Sequence, residues 1–414
     1  MTHGDPRQPA RDAPSLAILG CRGIPARYGG FETFAEELAV RLVARGFPVT
    51  VFCQQPVFAD EGRAERAPAR EHRGVRLEHV RVPRLGPRSA LLYDVLALRR
   101  ARSFDVVYML GYGAGAFLGL ARRSGNQVWV NMDGLESQRA KWGFLSRAWL
   151  RRAERAALRS AARIVFDNAA VRASVLGQVE DARVSVIEYG AELELEHDPG
   201  VLASLGVRPH AYFLCVARVE PENKVLEILR AHARSGVKRA LFLVGDVERA
   251  GRYGRACRAA AAPTARFLGP LFDQRTLYAL RRDAAAALHG HSVGGTNPAL
   301  LEGMAAGVPL IAHDNPFNRE VLAQDALWFH DEDGLVSALR QADEWSGEER
   351  ARCGAAHRAR IAARYTWERI ADEYTALLAR PAPPARLDVR LDDVSAALPR
   401  AGEARPAPGR EPAP

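Results

Sequence analysis

The chain has 414 residues, 48% hydrophobic and 26% charged, the balance of a globular protein long enough for two domains with separate cores. Its formal net charge of +9 rests on arginine, since Lys141, Lys224 and Lys238 are its only lysines. Five scattered cysteines at no metal-ligand spacing argue against a zinc site, and the longest uncharged run, Val106 to Ala121, is short of the roughly 20 residues a membrane span needs.

In chain order, residues 1–13 are rich in Pro, Ala and Arg and read as a flexible tail, with no apolar stretch of the kind a signal peptide carries. "SLAILG" reads as a buried strand, "FETFAEELAVRLVARG" as a helix ending at Gly46, and "PVTVFC" as the next strand. "VRLEHVRVP" alternates apolar and polar residues, as a half-buried strand does, and "DVVYML", "QVWVNM" and "RIVF" continue the series with helical segments between them. Such βαβα alternation predicts a mostly parallel sheet covered on both faces. "IEYGAELELEHDPG" is polar, acidic and aperiodic, and reads as an interdomain connection. A second series follows from "AYFLCVARV" through "RALFLVGD" and "TLYALRRDAAAALHGH" to "VPLIAHD". Residues 381–414 again read as a Pro/Ala/Arg-rich tail. Two doubly wound domains place a ligand cleft between the carboxyl ends of their sheets.

Three helix starts point toward such a cleft. In "GCRGIPARYGGFETF", Gly29 and Gly30 free the backbone to approach a ligand, but the loop does not fit the dinucleotide G-x-G-x-x-G pattern; a plain turn fits it equally well. In "RVEPENK", Arg218 and Lys224 flank a helix start expected at Pro221, where two cations beside helix amides suit a diphosphate; two solvated charges paired with Glu220 or Glu222 are the alternative. In "SVGGTNPALLEGMAAGVP", Asn297 is the expected cap, Pro298 the first helical residue and Gly307 the left-handed stop. The amides of Gly294, Gly295 and Thr296 would then be open to an anion or sugar hydroxyls, and Glu302, a turn further on, could accept from a ribose or merely face solvent.

The strings "GCRGIPARYGGFETFAEEL", "VNMDGLESQRAKW", "ARVEPENK" and "HGHSVGGTNPALLEGMAAGVPLIAHDNPFNREV" together resemble glycosyltransferase family 4, in particular its rhamnosyltransferase-like branch of bacterial capsule and exopolysaccharide assembly. The resemblance covers roughly residues 14–380 and implies an α/β GT-B fold of two Rossmann-like domains facing across a cleft. It implies an acceptor-side domain over 14–192, a nucleotide-sugar domain over 193–365, and a helix within 366–380 that crosses back onto the first domain. "YTWERIADEYTALL" would be that helix, with Trp367, Ile370 and Tyr374 as its buried stripe.

The same resemblance implies retaining transfer of a sugar from a nucleotide-sugar donor to a saccharide acceptor, with no cofactor, no metal and no nucleic acid. Glu302 matches the second acid of the family's E-x7-E motif, which holds the ribose, while Gly294 stands where the first acid belongs. Gly294, Gly295, Thr296 and Asn297, together with Gly29, Gly30 and the pocket-wall residue His291, become donor-binding candidates. Arg218 matches the family's phosphate arginine; Asn223 holds the usual lysine place and Lys224 follows one later. Asp133, after "VWVNM", falls near the reacting carbon, with a helix cap as its alternative role; beyond it Ser137 and Gln138 replace the branch's Trp and Lys. Asp133, Arg218 and Lys224 are thus the catalytic candidates.

The implied acceptor is lipid-linked, which sets the expected location in the cytoplasm, peripheral to the inner face of the membrane. "FLSRAWLRRAERAALRSAARIVF" carries basic and apolar residues at helical spacing, as an interfacial helix or an ordinary core helix would. The altered motifs leave open a second reading, a non-catalytic GT-B-like partner or regulatory protein. A nicotinamide oxidoreductase would share the two α/β domains but lacks its fingerprint here.

Overall fold

The computed structural model describes residues 13–26, 29–56, 68–132, 134, 136, 143–175, 179 and 181–380. Apart from Ala13, both expected tails lie outside them. The first sheet comprises β1 (Leu16–Leu19), β2 (Val49–Pro56), β3 (Glu71–His72), β4 (Val75–Val82), β5 (Val106–Leu110), β6 (Gln127–Asn131), β7 (Arg163–Phe166) and β8 (Val184–Val186). Their order is β3-β4-β2-β1-β5-β6-β7-β8, with only the β3–β4 pair antiparallel. The helices α1 (Gly30–Ala44), α2 (Pro87–Arg100), α3 (Phe144–Ser160) and α4 (Ala169–Ala173) belong to this domain.

The second sheet, ordered β11-β10-β9-β12-β13-β14, is wholly parallel: β9 (Tyr212–Val216), β10 (Ala240–Val244), β11 (Ala265–Gly269), β12 (Ala286–His289), β13 (Leu310–His313) and β14 (Leu327–Phe329). Around it lie α5 (Val201–Ser204), α6 (Val225–Ser235), α7 (Gly251–Ala260), α8 (Gln274–Arg282), α9 (Pro298–Ala306), α10 (Pro316–Leu322), α11 (Glu332–Glu344) and α12 (Gly347–Arg364). In each sheet the order reverses beside its first strand, β1 or β9, and ligands of doubly wound folds bind at that crevice.

The last helix, α13 (Trp367–Leu378), is started by Thr366, whose hydroxyl accepts from the Arg369 amide. It leaves the second domain and packs on α1. Trp367, Ile370 and Tyr374 point inward, so one apolar cluster holds Phe34, Tyr108 and Trp129 of the first domain together with Leu300, Met304 and Tyr365 of the second. The Tyr374 and Tyr108 hydroxyls share a hydrogen bond of 2.6 Å inside that cluster. A Cβ on Gly190 would stand 2.6 Å from the Trp367 ring, so glycine lets the helix settle. Arg45 clamps its outer face, donating to Asp372 at 2.7 Å and Glu368 at 2.8 Å.

Truncating Trp367 to Ala should cost about 3–5 kcal/mol by leaving a cavity in the shared cluster, whereas Tyr374→Phe, which removes one buried hydrogen bond, should cost about 1 kcal/mol. Urea unfolding followed by far-UV circular dichroism measures both, and a near-zero cost for Trp367→Ala would contradict the docking of α13.

Candidate active site

The three helix starts meet. A Cβ on Gly30, the first residue of α1, would lie 3.4 Å from the Pro298 ring at the start of α9. Ser292, in the loop before α9, donates from both its amide and its hydroxyl to the Glu222 carbonyl at 2.9 Å, tying that loop to the turn that follows β9. Gly290 backs onto the same turn, because a Cβ there would stand 2.3 Å from the Asn223 carbonyl oxygen.

In the first loop, acids of α1 fold back onto the chain that precedes it. Glu32 accepts from the Arg22 amide at 2.8 Å, and Glu36 accepts from the Ala26 amide at 2.6 Å while its other oxygen meets His72 Nε2 at 2.8 Å. Gly29 has φ 125°, and a Cβ on it would fall 2.1 Å from Glu32 Oε2, so both the conformation and the room there demand glycine. Two of this loop's amides are therefore already bonded to carboxylates.

In the second loop, the helix expected at Pro221 begins later. Pro221–Asn223 closes a single 3-10 turn, Lys224 adopts φ 50°, and α6 starts at Val225. The turn closes early because the Asn223 side chain donates to the Arg218 carbonyl at 2.8 Å and the Lys224 amide returns to the Pro221 carbonyl at 3.0 Å. Arg218 keeps a half-exposed guanidinium, 4.0 Å from Glu220. Asn223 is thus a backbone brace.

In the third loop the expected caps are present: Asn297 accepts from the Ala299 amide at 2.9 Å, Pro298 opens α9, and Gly307 ends it at φ 73°. The Thr296 amide is not open to a ligand. It donates to Asp167 Oδ2 at 3.0 Å, and the Thr296 hydroxyl bonds to the Asp167 carbonyl oxygen. Glu302 is not merely solvated either, since it pairs with Arg281 of α8, whose side chain is only 4% exposed. Both partners escape a reading of local sequence: Arg281 sits beside exposed Arg282 in one helical run, although the end of strand "RIVF" could have flagged Asp167.

His289 and His291 stack at 4.3 Å between ring centres, and the His291 carbonyl accepts from the side chains of Asn315 at 2.9 Å and Asn318 at 3.0 Å. Burial, helped by His313, pushes His289 down to about 3. His313 is pushed down to about 4 by burial, then by Lys224 and His330. Both imidazoles are neutral at pH 7. Asp133 lies outside the described residues. Among the described residues, no three His, Cys, Asp or Glu side chains gather as metal ligands would.

Residues 14–192 match the family "Domain of unknown function (DUF1972)", and residues 227–376 match the family "Glycosyl transferase-like". Among solved structures, sucrose-phosphate synthase from Thermosynechococcus elongatus superposes with a TM-score of 0.72 at 18% identity, covering 88% of this chain and 98% of that one. HepE from Anabaena in complex with UDP-glucose gives 0.66 at 16% identity (88% and 99% covered), and a glycosyltransferase from Rickettsia africae gives 0.65 at 12% identity (89% and 98%). No curated protein matches the sequence. The fold is therefore GT-B, with the glycosyl transferase-like match falling in its second half.

The two depressed imidazoles set a pH dependence. Between about pH 6.5 and 4 the unfolded chain binds protons that folded His289 and His313 refuse, so stability is fully present above pH 6.5 and falls as the pH drops. His289→Phe keeps a ring for stacking and removes one titration. Its melting temperature should therefore fall less than the parent's between pH 7.5 and 4.5, and parallel curves would refute the assignment.

Proposed function

We propose that the chain is a retaining glycosyltransferase that moves a sugar, rhamnose in the branch it resembles, from a nucleotide-sugar donor to a saccharide acceptor. The observation that carries this reading is the glycosyl transferase-like match over residues 227–376, which includes the β12–α9 loop and Glu302, within a GT-B fold. Arg218 and Lys224, on the turn bonded to that loop, neutralise the charge that grows on the departing diphosphate. Glu302 accepts from the ribose while Arg281 fixes its carboxylate. The leaving phosphate takes the acceptor proton as the hydroxyl attacks the same face, so no carboxylate pair at glycosidase spacing is needed. Asp133 is assigned a place beside the reacting carbon.

The acceptor is proposed to be lipid-linked, in surface-polysaccharide assembly at the inner membrane face. Supporting contact with an anionic bilayer, Phe144 and Leu145 at the start of α3 are 79% and 81% exposed, and Arg151, Arg152 and Arg155 stand exposed on the same helix. No helix among the described residues is long and apolar enough to cross a membrane. The rival reading, a non-catalytic partner, draws on Gly294 and on the Thr296 amide already held by Asp167. A thermal-shift panel of UDP-, GDP- and dTDP-sugars with NAD separates the readings: stabilisation by one nucleotide sugar, with turnover, supports the enzyme, and no stabilisation by any supports the partner.

Arg218→Ala should lower kcat more than it raises the donor Kd, because the phosphate charge it faces grows toward the transition state; steady-state kinetics and calorimetry decide, and an effect on KM alone would limit Arg218 to ground-state binding. Glu302→Gln, which keeps an oxygen to accept from Arg281 but removes the counter-charge, should weaken donor binding by about 1.5–3 kcal/mol, the worth of a charge-assisted hydrogen bond, and cost less stability than the alanine variant. Glu302→Ala should in addition cost about 3–5 kcal/mol of stability by stranding buried Arg281. Equal donor affinity in parent and Gln variant would remove Glu302 from the site.

A further inference from the structure

The resemblance puts an acid at the donor sugar, and this chain has Gly294 in its place. The structure nonetheless holds a carboxylate against that loop, and it comes from the other domain. Asp167 directly follows β7 and is fully buried. It receives the Thr296 amide at 3.0 Å on Oδ2 and the Thr296 hydroxyl on its own carbonyl oxygen. A Cβ on Gly295 would lie 2.1 Å from Asp167 Oδ1 and 2.3 Å from Oδ2, so glycine alone leaves room for the carboxylate. Beside it, a Cβ on Gly134 would lie 2.6 Å from the Cα of Gly294, so the two domains touch backbone to backbone. Asn168 extends the seam by donating to the Phe317 carbonyl at 3.3 Å.

Gly294 itself is glycine for a different reason. Its φ is 150°, and a Cβ there would meet nothing within 4 Å, so the requirement is conformational. That backbone turns Gly295 and Thr296 toward the first domain. A carboxylate accepting a buried amide makes a strong bond, and its loss leaves the amide unsatisfied, so the loop's shape depends on Asp167.

We infer that Asp167 is a positioning residue of the proposed donor site: the first domain supplies, across the cleft, the carboxylate its glycine loop lacks, and thereby sets the loop against the donor's sugar. This rests on the transferase reading. Asp167 holds Gly295 and Thr296 of the loop proposed for the sugar, whereas Arg218 and Lys224, the phosphate contacts, stand on the turn after β9 and Glu302, the ribose contact, is fixed by Arg281, so the dependence falls on the sugar and not on the nucleoside diphosphate.

The test compares UDP, GDP and dTDP, each with and without glucose, by calorimetry on the full chain and on Asp167→Ala, Asp167→Asn and Gly295→Ala. Asp167→Ala should lose at least about tenfold in affinity for the sugar nucleotide while its affinity for the matching diphosphate stays within about twofold. Asp167→Asn keeps an acceptor for the Thr296 amide and should lose less. If Asp167→Ala does not fold, Gly295→Ala, which displaces the carboxylate without removing it, should give the same sugar-specific loss. Equal losses for sugar nucleotide and diphosphate, or no loss, would overturn the inference. Hydrogen exchange needs no ligand: the Thr296 amide should exchange at least about tenfold faster in Asp167→Ala or Gly295→Ala, and unchanged protection would overturn the inference as well. Failure of all six nucleotides to bind the unaltered chain would instead count against the transferase reading.

Discussion

A helix that belongs to one domain by sequence and to the other by packing governs this molecule. The α13 stripe of Trp367, Ile370 and Tyr374 joins a cluster the two domains share, where Phe34 packs against Trp367 and Tyr374 and Tyr108 against Tyr374. The chain therefore enters the second domain through the segment after β8 and returns at Thr366, beside Ala191. Two crossings at one edge restrict how the sheets face each other. They bring the start of α1 against the start of α9, and a cleft between carboxyl ends of strands follows from that opposition.

Much of this frame is written locally. Strands such as "LAIL" and "VVYML" are buried along their whole length, as strands covered on both faces must be, and the helix caps Asn297 and Gly307 act within four residues of the positions they cap. The α13 stripe shows in the spacing of three large apolar residues. What sequence hides are the pairings made at long range. Arg281 to Glu302, Asp167 to Thr296 and Tyr374 to Tyr108 join residues 21, 129 and 266 apart, and a local pattern that marks one end does not name its partner. The delayed start of α6 is a subtler case. Pro221 carries a helix-start signal, but a side-chain brace from Asn223 ends the turn and leaves Lys224 left-handed, a conformation its residue type does not announce.

The candidate site differs from its sequence reading chiefly in how much of it is already bonded. Glycines suggest bare backbone, and bare backbone suggests a ligand. In this chain the glycines at 29 and 295 make room for the protein's own carboxylates, Glu32 and Asp167. Internal satisfaction of buried amides is the ordinary state of a folded chain, and a motif read from sequence alone cannot tell it from a vacant cradle.

The foldback of Glu32 and Glu36 onto the loop before α1 has an electrostatic corollary. A helix N-terminus normally attracts anions, but two carboxylates within its first two turns, one of them paired with His72, offset that field. The opposite wall carries Lys224 and the half-exposed Arg218, 4.0 Å from Glu220, beside neutral imidazoles. A molecule with one ionic end and one uncharged end is thereby favoured with its anionic end toward Arg218 and Lys224 before any specific contact forms.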